Sequence, residues 1–194
     1  MSVRAATGDD LAAIMAIERA SFAGDAWSEA AMAADIASPH NFYVVTERAG
    51  RIVGYAGLRA PAGSKDADIQ TIALDEAARG GGRGRTLLTT LLAEADRRGL
   101  REVFLDVRAD NPVAQSLYVS EGFVEIGRRP NYYPDGPTDA IVMRLDVPGW
   151  RHARSPGAPG ATPDSDDSTG FGSAGPQHPN PSSAPGSVNG AWCT

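Results

Sequence analysis

The sequence is poor in the residues that build many common sites. Its one cysteine in 194 residues is Cys193. That leaves no disulfide framework, no paired-thiol redox site and no thiol nucleophile within residues 1–150. Histidine occurs only as His40, His152 and His178, and the last two fall in the C-terminal stretch. A histidine-centred triad or a zinc site would rest on His40 alone, which argues against both. No metal is expected, and His40 reads as structural or solvent-facing. No run approaches the ~18 apolar residues of a membrane span, and the N-terminus lacks a signal-type apolar core. The expectation is a cytoplasmic protein with no membrane partner. An excess of basic residues is also missing: Lys and Arg total 18 against 24 Asp and Glu, a net charge of -6. This argues against nucleic acid bound through bulk charge.

Glycine, proline and serine are abundant, but unevenly so. Residues 151–194 hold 7 of the 22 glycines and 7 of the 14 prolines. Phe171, Val188 and Trp192 are the large apolar residues there. Such a segment cannot bury enough apolar surface to offset its conformational entropy, so it is expected to be a disordered tail. Residues 1–150 then form one domain of ordinary size.

Within that domain the pattern alternates between strand and helix. Val3 to Ala6 reads as a strand. Thr7, Asp9 and Asp10 offer N-cap oxygens to a helix whose inner face carries Leu11, Ile14, Met15 and Phe22. Ser28 caps a second helix that Pro39 closes. Asn41 to Thr46 and Arg51 to Leu58 flank Ala49-Gly50 as a β-hairpin. Residues 60–66 read as a loop, and Ile69 to Leu74 as a strand. Leu87, Leu88, Leu91, Leu92 and Ala95 form one helical face, and Gly99 suits its C′ position. A strand over Val103, Leu105 and Val107 follows. Asn111-Pro112 opens a helix that ends at Gly122. Strands Phe123–Arg128 and Ala140–Leu145 complete the order β-α-α-β-β-β-α-β-α-β-β, with residues 130–137 read as a loop. This is an α/β fold with a mixed central sheet and helices on both faces.

The strongest local signal is Arg79-Gly-Gly-Gly-Arg-Gly-Arg85, between a strand and a helix. A helix N-terminus presents free N–H groups and the positive end of its dipole, and glycines let a phosphate approach the backbone. The loop reads as a pyrophosphate site. It lacks the Gly-Lys-Ser/Thr of a Walker A loop. Leu87 stands where a Rossmann fingerprint beginning at Gly82 would need glycine, and the loop does not follow a first strand.

Arg79-x-x-Gly82-x-Gly84, behind Thr71-Ile-Ala-Leu74 and before an amphipathic helix, resembles the acetyl-CoA loop of the GNAT superfamily of N-acetyltransferases. The element order matches as well, over roughly residues 3–147. Further segments narrow the resemblance: Ala26-Trp27-Ser28-Glu29, Leu105-Asp-Val-Arg-Ala-Asp-Asn111 with Ala114-x-x-Leu-Tyr118, and Arg128-Arg-Pro-Asn-Tyr-Tyr-Pro134. Together they resemble the RimI-type ribosomal-protein alanine N-acetyltransferases.

That resemblance implies acetyl-CoA as cosubstrate. Ile72, Ala73 and Leu74 would present backbone groups to its pantetheine arm. Arg79, Gly80, Gly81, Gly82, Arg83, Gly84 and Arg85 would hold its pyrophosphate, and Asn111 would contact it. Where the family carries a glutamate base this chain has Asp106, one methylene shorter, so a bridging water would restore the reach. Tyr118 matches the family's general acid. Trp27, Tyr132 and Tyr133 would line the peptide entrance. The implied activity is acetylation of a protein N-terminus, the alanine of a small-subunit ribosomal protein, by direct attack in a ternary complex. The chain is expected to act as a monomer. Read by spacing alone, Tyr118 is a core residue and Asp106 a solvated strand residue. A lysine side chain or a small amine as acceptor, or a non-catalytic acyl-CoA- or partner-binding module, are the alternatives.

Overall fold

The computed structural model describes residues 2–22, 24, 26–133 and 137–155. The expected element order is observed, with one helix added. A short strand β1 (Ser2–Ala5) leads through a 3-10 turn into α1 (Leu11–Ser21) and α2 (Glu29–Ala37). The Ser28 hydroxyl accepts from the Ala31 amide at 3.2 Å and so caps α2. β2 (Asn41–Arg48) and β3 (Arg51–Arg59) turn on Ala49-Gly50, both at positive φ. β4 (Asp66–Leu74), α3 (Arg83–Arg97), β5 (Glu102–Arg108) and α4 (Pro112–Ser120) follow. β6 (Val124–Tyr133), β7 (Thr138–Asp146) and α5 (Val147–Arg154) complete the chain's described part.

The seven strands form one sheet in the order β1-β2-β3-β4-β5-β7-β6. Two apolar layers cover it. On one face Leu87, Leu88, Leu91 and Leu92 of α3, all fully buried, pack with Ile72, Leu74, Leu105, Val107, Ile141 and Tyr118. Each of those leucines contributes roughly 1.5–3 kcal/mol by leaving water. On the other face Ile14, Met15, Ile17 and Phe22 of α1 pack with Met32, Tyr43, Tyr55, Ala73 and Tyr133.

One neighbouring pair in the sheet is incomplete. β4 and β5 run parallel and pair only at Asp66/Glu102, Ala67/Val103 and Asp68/Phe104. Beyond that point β4 stays with β3 as far as Leu74, and β5 stays with β7 as far as Arg108. The sheet therefore parts before Ile72 to Leu74, where the resemblance places the pantetheine arm.

Two readings of the sequence need correction. Residues 130–133 are not loop: β6 continues through Pro130 to Tyr133, with Asn131 at φ 50 and a register shift between Arg129 and Tyr133. β6 is the sheet's edge, where a proline's missing N–H costs no ladder bond. The fold also passes residue 150. Asp146 accepts from the Gly149 amide at 2.6 Å and caps α5. Trp150 Nε1 and Arg154 donate to Glu121, whose side chain is 2% exposed and also holds Arg85. The remainder of the expected tail, from residue 156, lies outside the described residues.

A chain ending at Trp150 should therefore melt below one ending at Ser155. Losing Arg154 from Glu121 should lower the midpoint by about 2–4 °C, corresponding to ~1 kcal/mol. Equal midpoints in thermal denaturation would show that the last turn of α5 adds nothing.

Candidate active site

Strand alternation sorts the candidate residues onto two faces of the split. Leu105 and Val107 point into the α3 layer, so Asp106 between them points to the α1–α2 face. Tyr133 belongs to that face, and Trp27 and Tyr132 pack against its edge. The acceptor set named from the sequence, Trp27, Tyr132 and Tyr133, is thus on the same face as Asp106. Tyr118 lies on the opposite face. It is 0% exposed and meets Phe123 edge to face at 5.7 Å. Between these two faces β4 and β5 have parted beyond Asp68/Phe104.

Asp106 is 13% exposed, and Arg129 Nε lies 3.7 Å from its Oδ2. Burial pushes the Asp106 carboxyl above the ordinary range, and Arg129 pulls it partly back. Arg129 also lies over the Tyr132 ring at 5.4 Å, and Arg108 over Tyr133 at 4.8 Å. Tyr132 and Tyr133 meet edge to face at 5.2 Å. Burial, and next the charge of Asp106, push the Tyr133 phenol well above its ordinary value. Tyr133 is therefore a neutral phenol at physiological pH.

The glycine loop has the backbone that the sequence requires. Gly80, Gly81 and Gly82 all have positive φ, at 80°, 59° and 76°, where a side chain would be strained. Gly82 caps α3, and the loop residues 79–82 are exposed. Its arginines are divided in their work. Arg83 Nη1 donates back to the carbonyls of Ala78 at 2.9 Å and Gly80 at 3.1 Å, so this side chain braces the loop. Arg85 is engaged with Glu121 and donates to Ser120 Oγ at 2.8 Å. Arg79 is exposed beside the loop. What the loop leaves facing solvent is therefore chiefly backbone and the positive end of the α3 dipole, with Arg79 beside them. Gly84 lies in the first turn of α3.

Ile72, Ala73 and Leu74 lie on the part of β4 that has no backbone pairing to β5. Asn111 caps α4 by accepting from the Ala114 amide at 3.0 Å. The chain thus presents an unpaired strand edge and a glycine-lined helix N-terminus for a long phosphorylated cofactor, which fits acetyl-CoA. His40 serves through its backbone carbonyl, which accepts from Ala60 and Arg98.

Sequence reasoning missed the polar groups beneath the acceptor face. Glu18 and Tyr55 are buried in the α1–α2 layer, and Arg108 and Arg129 frame the tyrosine pair. Glu18 had one available signal: it is a charged residue on the helix face shared by Ile14, Met15 and Ile17.

Residues 11–123 match the Acetyltransferase (GNAT) family. The chain is 40% identical over 151 residues to the N-alpha-acetyltransferase RimI of Mycobacterium tuberculosis, covering 75% of this chain and 92% of that protein. It is 41% identical over 134 residues to the uncharacterized protein ML0378 of Mycobacterium leprae, 68% of this chain but only 36% of that longer protein. The crystal structure of the ribosomal-protein-S18-alanine N-acetyltransferase from Escherichia coli superposes with a TM-score of 0.69 at 32% identity. That match covers 75% of this chain and 93% of the other.

Replacing Arg129 by alanine removes the cation that, among the described residues, lowers the Asp106 pKa. The carboxyl should then titrate at higher pH than in the parent chain, as followed by carboxyl carbon NMR. An unchanged or lower pKa would contradict the electrostatic account.

Proposed function

Because this chain belongs to the GNAT acetyltransferase family, we propose that it transfers the acetyl group of acetyl-CoA to the N-terminal alanine of ribosomal protein bS18. The observation that carries the reading is the placement of Asp106 with Trp27, Tyr132 and Tyr133 on one face of the split, the glycine loop lying at the end of the neighbouring strand. The acceptor follows from the relatives, whose names give N-alpha-acetyltransferase and ribosomal-protein-S18-alanine N-acetyltransferase.

Acetyl-CoA supplies the activated acyl group. Gly80 to Gly84 would receive its pyrophosphate, with Arg83 holding the loop's shape and Arg79 adding charge. Backbone groups of Ile72 to Leu74 would align the pantetheine arm, and the α4 N-terminus at Asn111 would adjoin it. The tyrosine pair and Trp27 would hold the peptide end with its α-amine toward Asp106.

The incoming amine is cationic at neutral pH and must lose a proton before it can attack. Asp106 would accept that proton, directly or through one water. Its raised pKa brings it closer to the amine's and makes it a better base than an exposed aspartate. The neutral amine then attacks the thioester carbonyl carbon, the carbon–sulfur bond breaks, and the thiolate takes a proton from Tyr118; the amide nitrogen sheds its second proton to solvent, and Tyr118 regains one from solvent. No cysteine lies in residues 1–150, which excludes a cysteinyl acyl-enzyme; direct attack within a ternary complex is the natural mechanism, with positioning supplying much of the rate.

Acetyl-CoA and an alanine-starting peptide should give CoA thiol release above background. An Nα-blocked, lysine-containing peptide should not. Turnover of the blocked peptide alone would move the acceptor to a side chain, and no turnover of either would end the proposal. Asp106→Asn should lower kcat by roughly 10²–10⁴. Its folded pKa is raised, so Asp106 favours folding most at low pH and less as pH rises through that pKa. The variant's melting midpoint at neutral pH should therefore equal or exceed the parent's.

A further inference from the structure

Glu18 is a buried acid that the chemistry above does not use. It is 1% exposed, on the inner face of α1 among Ile14, Met15 and Ile17. Its Oε1 accepts from the backbone amide of Trp27 at 3.0 Å. Its other oxygen accepts from the Tyr55 hydroxyl of β3. Thr71 Oγ1 lies 3.4 Å from that hydroxyl. Burial and the nearby Glu18 push the Tyr55 phenol well above its ordinary value, so it stays a neutral donor. A second tyrosine makes a parallel link. The Tyr43 hydroxyl donates to Asp35 of α2 at 2.7 Å and lies 3.0 Å from the Gln70 side chain. Gln70 and Thr71 are consecutive, buried, and the first β4 residues to follow Ile69 beyond the split.

A buried carboxylate is an expensive way to pack a helix. Burying a charge costs several kcal/mol unless hydrogen bonds compensate, and apolar residues of similar size often serve stability as well or better. What an apolar residue cannot do is fix the direction of two donors at once. Here those donors are the backbone of Trp27, in the acceptor wall, and the phenol that abuts β4 just before Ile72.

We propose that Glu18 is a positioning residue for the acceptor. Its carboxylate fixes the Trp27 segment relative to the open part of β4, so that the peptide amine and the acetyl group meet in register. The inference rests on the acetyltransfer reading above. It predicts a selective effect: Glu18 matters to the peptide and not to acetyl-CoA.

Glu18→Met fills similar volume and accepts hydrogen bonds only weakly. In initial-rate kinetics on the full chain its KM for the alanine-starting peptide should rise about tenfold, the loss expected for one hydrogen bond to a charged group. Its KM for acetyl-CoA should stay within about twofold, below the scale of one such bond. Glu18→Gln should recover most of the difference, because its amide oxygen can still accept from Trp27. In hydrogen exchange, residues 26–28 should exchange about tenfold faster in Glu18→Met, with β4 still protected. If Glu18→Met does not fold, Tyr55→Phe carries the same test, with a smaller rise in peptide KM alone. A fall in kcat with both KM values unchanged would mark a merely structural residue and overturn the inference. So would unchanged exchange at residues 26–28, a readout that needs no activity. A parent chain that never turns over the peptide would fail the acetyltransfer reading instead, and exchange would still decide whether Glu18 holds the Trp27 segment.

Discussion

Three residue pairs, from Asp66/Glu102 to Asp68/Phe104, are all the backbone pairing that β4 shares with β5. Strands that begin so close would ordinarily continue together, because each further pair satisfies backbone groups that otherwise need water or another partner. Here each strand has its outer neighbour instead. β5 pairs with β7 from Glu102 to Arg108, and β4 pairs with β3 as far as Leu74. The β3–β4 register shifts between Gly57 and Leu58, at the level where β4 leaves β5. A bulge raises local twist and bends a strand, which turns β4 aside. The apolar layer beneath bridges the gap without closing it. Ile72 and Leu74 from one side and Leu105, Val107 and Tyr118 from the other belong to one cluster packed on α3. Packed side chains thus hold the two halves of the sheet at a separation that backbone pairing alone would erase.

Charge placement follows from that opening. A carboxylate at the split is partly removed from water, which raises its pKa and costs stability at neutral pH. Arg129 keeps this cost moderate without a close ion pair: its Nε stands 3.7 Å away and its guanidinium also lies over Tyr132. The same economy appears at the glycine loop. Arg83 and Arg85 look like phosphate ligands in the sequence, yet their side chains are committed to the Ala78 and Gly80 carbonyls and to Glu121. Glu121 holds Arg85, Trp150 and Arg154 together, so α5 is tied to the first turn of α3. The loop's conformation is thereby set before any ligand arrives.

Much of this was legible in the sequence, for local reasons. Ser28, Asn111 and Gly99 mark helix ends through hydrogen bonds and φ values that depend on near neighbours. The leucine spacing of α3 and the alternation of β5 report burial directly. Two local readings failed because the context was tertiary. Pro130 and Asn131 look like loop, and only an edge position with a bulge lets a strand contain them. The boundary at residue 150 followed the composition of residues 151–194, and the Arg154–Glu121 contact that carries α5 past it is tertiary. The Glu18–Tyr55 link was illegible for a stronger reason. Its members stand 37 positions apart, and nothing in either residue's neighbourhood names the other. Only the odd charge on an apolar helix face hinted at a partner.

The two faces of the split also bear on how protons are handled. Under the proposed roles, Asp106 gains a proton on the α1–α2 face while Tyr118 gives one up on the α3 face. Asp106 lies beside Arg129 and is partly exposed, whereas Tyr118 is buried in the apolar layer on α3, so the two groups stand on different faces of the sheet. Each group must then reset through solvent or through the departing product. A base that need not hand its proton on only has to capture it and release it to water before the next turnover. A partly exposed aspartate with a raised pKa can do both. The missing methylene at position 106 matters less in that setting, because a water that spans the reach to the amine also lies on the exit path of the proton.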